Sequence, residues 1–313
     1  MSRKAAATFK VDEGKAFVVG GWSKELEAAL RQAQPRSMEL QARVHDLRQF
    51  AGAVDSVTSL QLSGSAEEAR IESLVGLEAF VHLQALEIRS PVKQGLQAVH
   101  LPHLKRCALC WQPGCELLTA APSVESLLLW AYRQPSLAEL PVSASLRELW
   151  LSRPAIANLA GIGAASSLTE LRITHARALS SLDGVEALRL VAVDIEAAPK
   201  LEDIAALGRL NTVRSVRLLG ASAAINLAPL ASVNTLKWLH AGGPRMPPLD
   251  WPGLLALPGL SFVSGTWDPG VVGEARLRAS VPAARQITRF DPVKKRGVTP
   301  LVIELADAGA PPS

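Results

Sequence analysis

Leu146-Arg-Glu-Leu149-Trp-Leu151 is followed, twenty-two residues on, by Leu168-Thr-Glu-Leu171-Arg-Ile173. Both stretches read apolar, two variable, apolar, one variable, apolar. Side chains alternate along a strand, so the last two apolar residues of each stretch share one face and their neighbours take the other. Upstream the pattern reads Val57-Leu60-Leu62, Leu83-Leu86-Ile88, Leu104-Cys107-Leu109 and Val124-Leu127-Leu129. Downstream it reads Val185-Leu188-Leu190, Val213-Val216-Leu218, Val233-Leu236-Trp238 and Leu257-Leu260-Phe262. Nine steps from Val57 to Leu257 cover 200 residues, a mean of about 22. The pattern is weakest in the strands beginning at Leu104 and Val185, and the 28 residues from Val185 to Val213 predict one longer crossover.

The segments between strands carry a second period. Apolar residues step by three in Leu74-Leu77-Phe80, Leu159-Ile162-Ala165, Ile204-Leu207-Leu210, Leu179-Leu182 and Leu227-Leu230. That step matches a 3-10 turn, in which every third side chain eclipses. Pro141, Pro154, Pro229 and Pro258 exclude long helices there. The expectation is one parallel sheet backed by short turns, each coil burying its faces only by stacking on its neighbours.

These features resemble the leucine-rich-repeat superfamily, in its short-repeat class with 3-10 turns on the convex side, over residues 57–264 in about ten repeats. The resemblance implies an α/β solenoid: an arc with the parallel sheet on its concave face and a cap at each end. One departure stands out. The family places Asn three residues after the last strand leucine, where it bonds backbone in a ladder. Here those positions hold Pro91, Gln112, Tyr132, Pro154, Ala176, Val193, Ala221, Ala241 and Gly265.

Residues 1–56 are expected to form the N-terminal cap, a possible hairpin around Asp12-Glu13-Gly14 and one or two helices: the first after Ser23, the second read over Ser37 to Phe50 with Leu40, Val44, Leu47 and Phe50 at helical spacing. Residues 265–313 are expected to form a C-terminal cap and tail, with strand-like runs Arg285 to Phe290 and Pro300 to Glu304.

Of the 313 residues, 48% are hydrophobic but only 4% aromatic, so the core is aliphatic. Three Cys in a chain this long do not suggest a disulfide scaffold. No signal peptide or membrane span is read, which makes a cytoplasmic monomer the expectation. Arg outnumbers Lys 23 to 10, as in GC-rich bacterial coding sequences. The net charge of +4 sits at the ends: residues 57–270 carry 17 basic and 18 acidic side chains, residues 271–313 seven and four.

His100, His103, Cys107, Cys110 and Cys115 resemble a zinc set in composition. Strand alternation puts Cys107 and Cys110 on opposite faces, so no metal site is expected. Gly20-Gly21 lacks the further glycines and the lysine of a phosphate loop. No nucleophile and base can be paired, so no catalytic residue and no cofactor is expected.

The concave face is the better candidate. Its outward positions are expected to include Arg89, Arg106, Trp130, Glu148, Trp150, Glu170, Arg172, Arg189, Arg217 and Lys237, with His175 and His240 at strand ends. Trp130 and Trp150 should lie near one another, whereas Trp238 should be core. Exposed Trp beside Arg is the composition of binding hot spots. The expected function is recognition of a protein partner, as a scaffold or similar module. The alternative is an anionic polymer such as RNA, held by a stripe of Arg172, Arg189, Arg217 and Lys237 with a basic tail at Arg276, Arg278, Arg285, Arg289, Lys294, Lys295 and Arg296.

Overall fold

A computed structural model describes residues 8–12, 14–20, 22–41, 47–64, 71–93, 100–115, 118, 121–140, 142–243, 245–267, 284–289 and 299–305. The chain forms two compact units, Met1–Tyr132 with Leu140–Leu146, and Arg133–Glu139 with Arg147–Ser313.

In the first unit, strands β1 (Thr8–Asp12) and β2 (Lys15–Val19) form the expected antiparallel hairpin. From β2 onward each strand pairs in parallel with the next: β3 (Ser37–Gln41), β4 (Ser59–Ser63), β5 (Ala85–Ile88), β6 (Arg106–Cys110) and β7 (Ser126–Trp130). Helix α1 (Lys24–Ala33) begins where Ser23 accepts from the Leu26 N–H and buries Leu26 and Leu30. The second helix expected over Ser37 to Phe50 is not formed. Ser37–Gln41 is a strand, Leu47–Phe50 a 3-10 turn, and residues 42–46 lie outside the described residues. Met38 and Leu40 alternate as well as Leu40, Val44 and Leu47 step, and pairing with strands on both sides favours the strand.

In the second unit β8 (Glu148–Ser152), β9 (Glu170–Thr174), β10 (Ala192–Glu196), β11 (Ser215–Leu219), β12 (Trp238–Gly242) and β13 (Phe262–Trp267) are parallel neighbours in order. β15 (Thr299–Leu305) pairs antiparallel with β13, and β14 (Ala284–Arg289) with β15. These two strands match the predicted C-terminal runs; the tail cations Arg276, Arg278, Lys294, Lys295 and Arg296 lie outside the described residues. Inward residues Leu149, Leu171, Val193, Val216, Leu239 and Val263 occupy equivalent places and advance by 22, 22, 23, 23 and 24 residues. All are buried. The turns behind the strands are 3-10, among them Leu77–Ala79, Leu137–Glu139, Ile162–Ala164, Ala205–Arg209 and Ala228–Ser232, as the three-residue step predicts.

Three expected strands fall in the wrong phase. The strand read from Val185-Leu188-Leu190 is the set Leu190-Val193-Ile195. Those read from Val233 and Leu257 are Leu236-Leu239-Ala241 and Leu260-Val263-Gly265. The expected long crossover disappears, since Leu190 to Val213 is 23 residues. The backbone marks the true phase: two successive N–H groups donate to one carbonyl a coil earlier. Thr169 and Glu170 donate to Arg147, Val191 and Ala192 to Thr169, Lys237 and Trp238 to Arg214, and Ser261 and Phe262 to Lys237.

Five of the family's Asn positions hold buried residues, Tyr132, Pro154, Ala176, Ala198 (with the phase corrected) and Ala221, whereas Pro91 at another is exposed. Gln112 makes one ladder-like bond, accepting from the Val92 N–H at 2.7 Å. A different rung recurs one residue before the first core position of a coil. There Ser56, Ser123, Thr212 and Thr235 donate to the carbonyls of Pro35, Leu104, Leu190 and Val213. The Thr212 and Thr235 bonds are 2.7 Å long. Thr212→Val and Thr235→Val keep the shape and remove the donor, so each is expected to cost about 1 kcal/mol and the pair about 2. Urea midpoints check this; unchanged midpoints in the double variant would show the rungs to be idle.

Candidate functional site

Alternation places the odd members of each strand on the side away from the core. In the first unit Arg106, Ala108 and Cys110 of β6 lie in register with Ser126, Leu128 and Trp130 of β7. Arg106 is exposed and Trp130 half-buried. Arg89 follows β5, is exposed, and pairs with Glu87 at 2.7 Å. Trp111 turns its ring edge onto buried Tyr132, with centroids 4.6 Å apart. Cys107 faces the core, where burial, and then Cys115 nearby, push its thiol far above the ordinary range. Cys110 faces outward and donates to the Arg89 carbonyl. The two thiols therefore lie on opposite faces, as alternation predicts. Among the described residues no three His, Cys, Asp or Glu side chains converge on a metal position.

In the second unit the central outward residues of β8 to β12 are Trp150, Arg172, Asp194, Arg217 and His240. The Arg172 guanidinium lies 4.5 Å from the Trp150 ring centroid and its Nε is 3.2 Å from Asp194. From the far side Arg217 Nη1 reaches the Asp194 carboxylate at 2.8 Å and Glu196 at 3.0 Å. Burial works to lower the Arg217 pKa, but hydrogen bonds and charge from Asp194 and Glu196 outweigh it and raise it. His240 is held below the ordinary histidine value by partial burial and then by Arg217, against a smaller opposing pull from Asp194. The Trp150 indole N–H donates to Thr174 at 3.4 Å.

At the starts of these strands Glu148 and Glu170 are register partners, both exposed. Partial desolvation, and then the Glu148 charge, raise the Glu170 pKa. At the far end of the row Trp238 stacks on Phe262, with centroids 5.0 Å apart.

Several expected site residues are displaced. Arg189 lies in the turn before β10, not on a strand, and Lys237 precedes β12. His240 sits at the middle of β12 instead of its end, and Trp238 faces outward instead of into the core. His175 does follow β9, in a left-handed conformation with φ 56°. Trp130 and Trp150 belong to different units. The four cations therefore do not form a stripe: two are off the strands, and the other two share Asp194. The phase slip hid Asp194 and Glu196. The signal that finds them is the 22-residue advance from Leu171 to Val193.

No family model matches the sequence, and no curated protein matches it. Among solved structures, an internalin from Listeria monocytogenes is 16% identical, with a TM-score of 0.44 over 74% of this chain and 68% of that one. Internalin C2 from the same species is 16% identical, with a TM-score of 0.35 over 76% of this chain and 83% of that one. A leucine-rich-repeat protein from Leptospira interrogans is 14% identical, with a TM-score of 0.43 over 79% and 76%. By its own strand register, 3-10 turns and regular advance, the chain has a leucine-rich-repeat fold. Among the described residues no helix is long and apolar enough to cross a membrane.

Proposed function

We propose that the chain is a non-enzymatic module that binds a protein partner on the outward face of its parallel strands, chiefly on β8 to β12. The observation that carries this reading is Trp150, an indole on the side of β8 away from the core. Arg172 is held over its face, and Asp194 keeps Arg172 there. A guanidinium stacked on an aromatic ring and pinned by a carboxylate loses little freedom on binding, which favours a hot spot. Glu148 and Glu170 start β8 and β9 on the same face, Arg217 meets the same Asp194, and Arg89, Arg106 and Trp130 are the corresponding candidates in the first unit, taken by itself. Cys107 and Cys110 are free thiols on opposite faces of β6, which fits a reducing compartment, so the cytoplasm is the expected location. An anionic polymer such as RNA has less support, since Asp194 and Glu196 neutralise Arg172 and Arg217.

The test is photo-crosslinking in cells that make the protein. A benzophenone side chain replaces Ser152, an outward position two residues past Trp150 on β8, in one variant and Glu139, in the 3-10 turn behind the sheet, in another. The expected result is a discrete protein adduct from position 152 only. The purified complex should weaken about 100-fold on Trp150→Ala. Adducts from position 139 and none from 152 would move the interface off this face.

A further inference from the structure

β1 is the first strand of the sheet, and among the described residues no strand pairs with its other edge. The hydrogen bonds of β2 decide which groups that edge presents. The Ser37 N–H donates to the Gly14 carbonyl at 2.9 Å, and the Gly20 N–H to the Gln41 carbonyl at 3.1 Å. In a parallel pair alternate residues serve the same neighbour throughout, so Ala16 and Val18 also face β3. Lys15, Phe17 and Val19 are left to bond Asp12, Lys10 and Thr8, their register partners in β1. The backbone N–H and C=O groups of Phe9 and Val11 therefore point away from β2, along the free edge.

An edge of this kind is a template for another strand. Short length and a lysine ordinarily keep such an edge single, because identical strands bring like charges together. The order of charges in β1 reverses that effect in one register. Thr8, Lys10 and Asp12 are exposed on one face, and Phe9 and Val11 are half-buried on the other. Lys10 and Asp12 carry opposite signs, and Val11 lies midway between them. A twofold axis through Val11 sets Lys10 of each strand opposite Asp12 of the other. The same axis makes the two Val11 residues a hydrogen-bonded pair, each N–H donating to the other's carbonyl, and brings their half-buried flanks together. An axis through Lys10 would set lysine on lysine, and one through Phe9 would set Lys10 on Thr8. Only the register at Val11 uses both charges.

We propose that two copies of this chain join edge to edge through β1, antiparallel about a twofold axis at Val11, so that the sheet continues from one copy into the other. β1 belongs to the first unit, and its pairing stands or falls independently of the protein-binding reading for β8 to β12.

The test is sedimentation equilibrium of the full chain at protein concentrations from about 1 μM to about 1 mM. The expected result is a monomer–dimer equilibrium with a dissociation constant of about 10–100 μM, since one pair of edges makes a small interface. Val11→Pro removes the edge N–H and leaves the bonds between β1 and β2 in place, so it should abolish the dimer with little change in thermal midpoint. Lys10→Asp and Asp12→Lys each set like charges opposite one another twice per dimer, and each should weaken pairing at least about tenfold. Lys10→Asp/Asp12→Lys exchanges the signs and should restore it. These exposed substitutions leave the backbone alone, so they decide the matter even if Val11→Pro loosens the hairpin. A wild type that stays monomeric at about 1 mM overturns the proposal. So does a double exchange that fails to restore pairing, or a dimer that a folded Val11→Pro variant keeps. Growth beyond the dimer also overturns it, because that would place β1 on the opposite edge of the sheet, β14.

Discussion

Gly161→Ala is expected to destabilise the second unit by about 3–5 kcal/mol, seen as a large drop in its urea midpoint. Gly161 has a φ of 93° and opens the 3-10 turn Ile162–Ala164. An added Cβ would lie inside the contact distance of the Ala138 backbone nitrogen and Cα in the preceding turn. Backbone cannot rotate aside, so the two stacked turns must separate. The cost of a left-handed residue with a Cβ, about 1–2 kcal/mol, adds to that displacement. Gly184, with φ 111°, repeats the arrangement against the Leu159 carbonyl and should behave alike. Gly163 supplies the control. A Cβ there meets nothing within 4 Å. Gly163→Ala should be neutral, or stabilise by up to about 1 kcal/mol through the unfolded chain. Equal midpoints for the two variants would remove the close approach of the turns as the reason for glycine at 161.

Trp251→Ala should cost a similar amount, about 3–5 kcal/mol, for a different reason. Trp251 starts the short helix α2 (Trp251–Leu255) and is fully buried among the aliphatic side chains of the second unit. Its indole N–H donates to the Thr266 carbonyl of β13 at 3.1 Å. Asp250 caps the helix by accepting from the Gly253 N–H and sets the angle at which the ring enters. Removing the ring leaves a cavity beneath the last parallel strand. Trp251→Phe separates volume from hydrogen bonding: it keeps most of the apolar contact and leaves Thr266 without its donor, at about 1–2 kcal/mol. Denaturation of the two variants side by side measures both. Equal losses in Ala and Phe would mean that the hydrogen bond, and not packing, sets the stability there.

Most of the fold could be read from residues. Leu149-Leu151, Leu171-Ile173 and Val216-Leu218 stand where their spacing put them, and the three-residue step identified the 3-10 turns. The errors have one cause. Leu230, Val233, Leu236 and Leu239 are all buried and three apart, so the turn's period runs into the strand without a break. Trp238, two residues past Leu236, imitates a second inward residue. At β10 two apolar pairs, Leu188-Leu190 and Val193-Ile195, compete five residues apart, and all four are buried. Periodicity alone does not separate a buried turn from a buried strand.

Each such slip changes the candidate site more than the fold. Moving β10 by one pair exchanged Arg189 for Asp194 at the centre of the outward face and turned an apparent row of cations into an alternating, neutralised one. Glu148, Trp150, Glu170 and Arg172 were legible because their strands carry a single apolar pair flanked by charge.

By itself the sequence determined the repeat, its length of about 22 residues, the parallel strands and the aliphatic core, because burial of apolar side chains imposes a period that composition records directly. Only the tertiary structure decided which residues of a repeat face outward, and with whom they pair. That choice is made between coils: Val191 and Ala192 find the Thr169 carbonyl, and Arg172 and Arg217 meet on Asp194. Hydrogen bonds between neighbouring coils set the phase, and no single repeat contains both halves of such a bond.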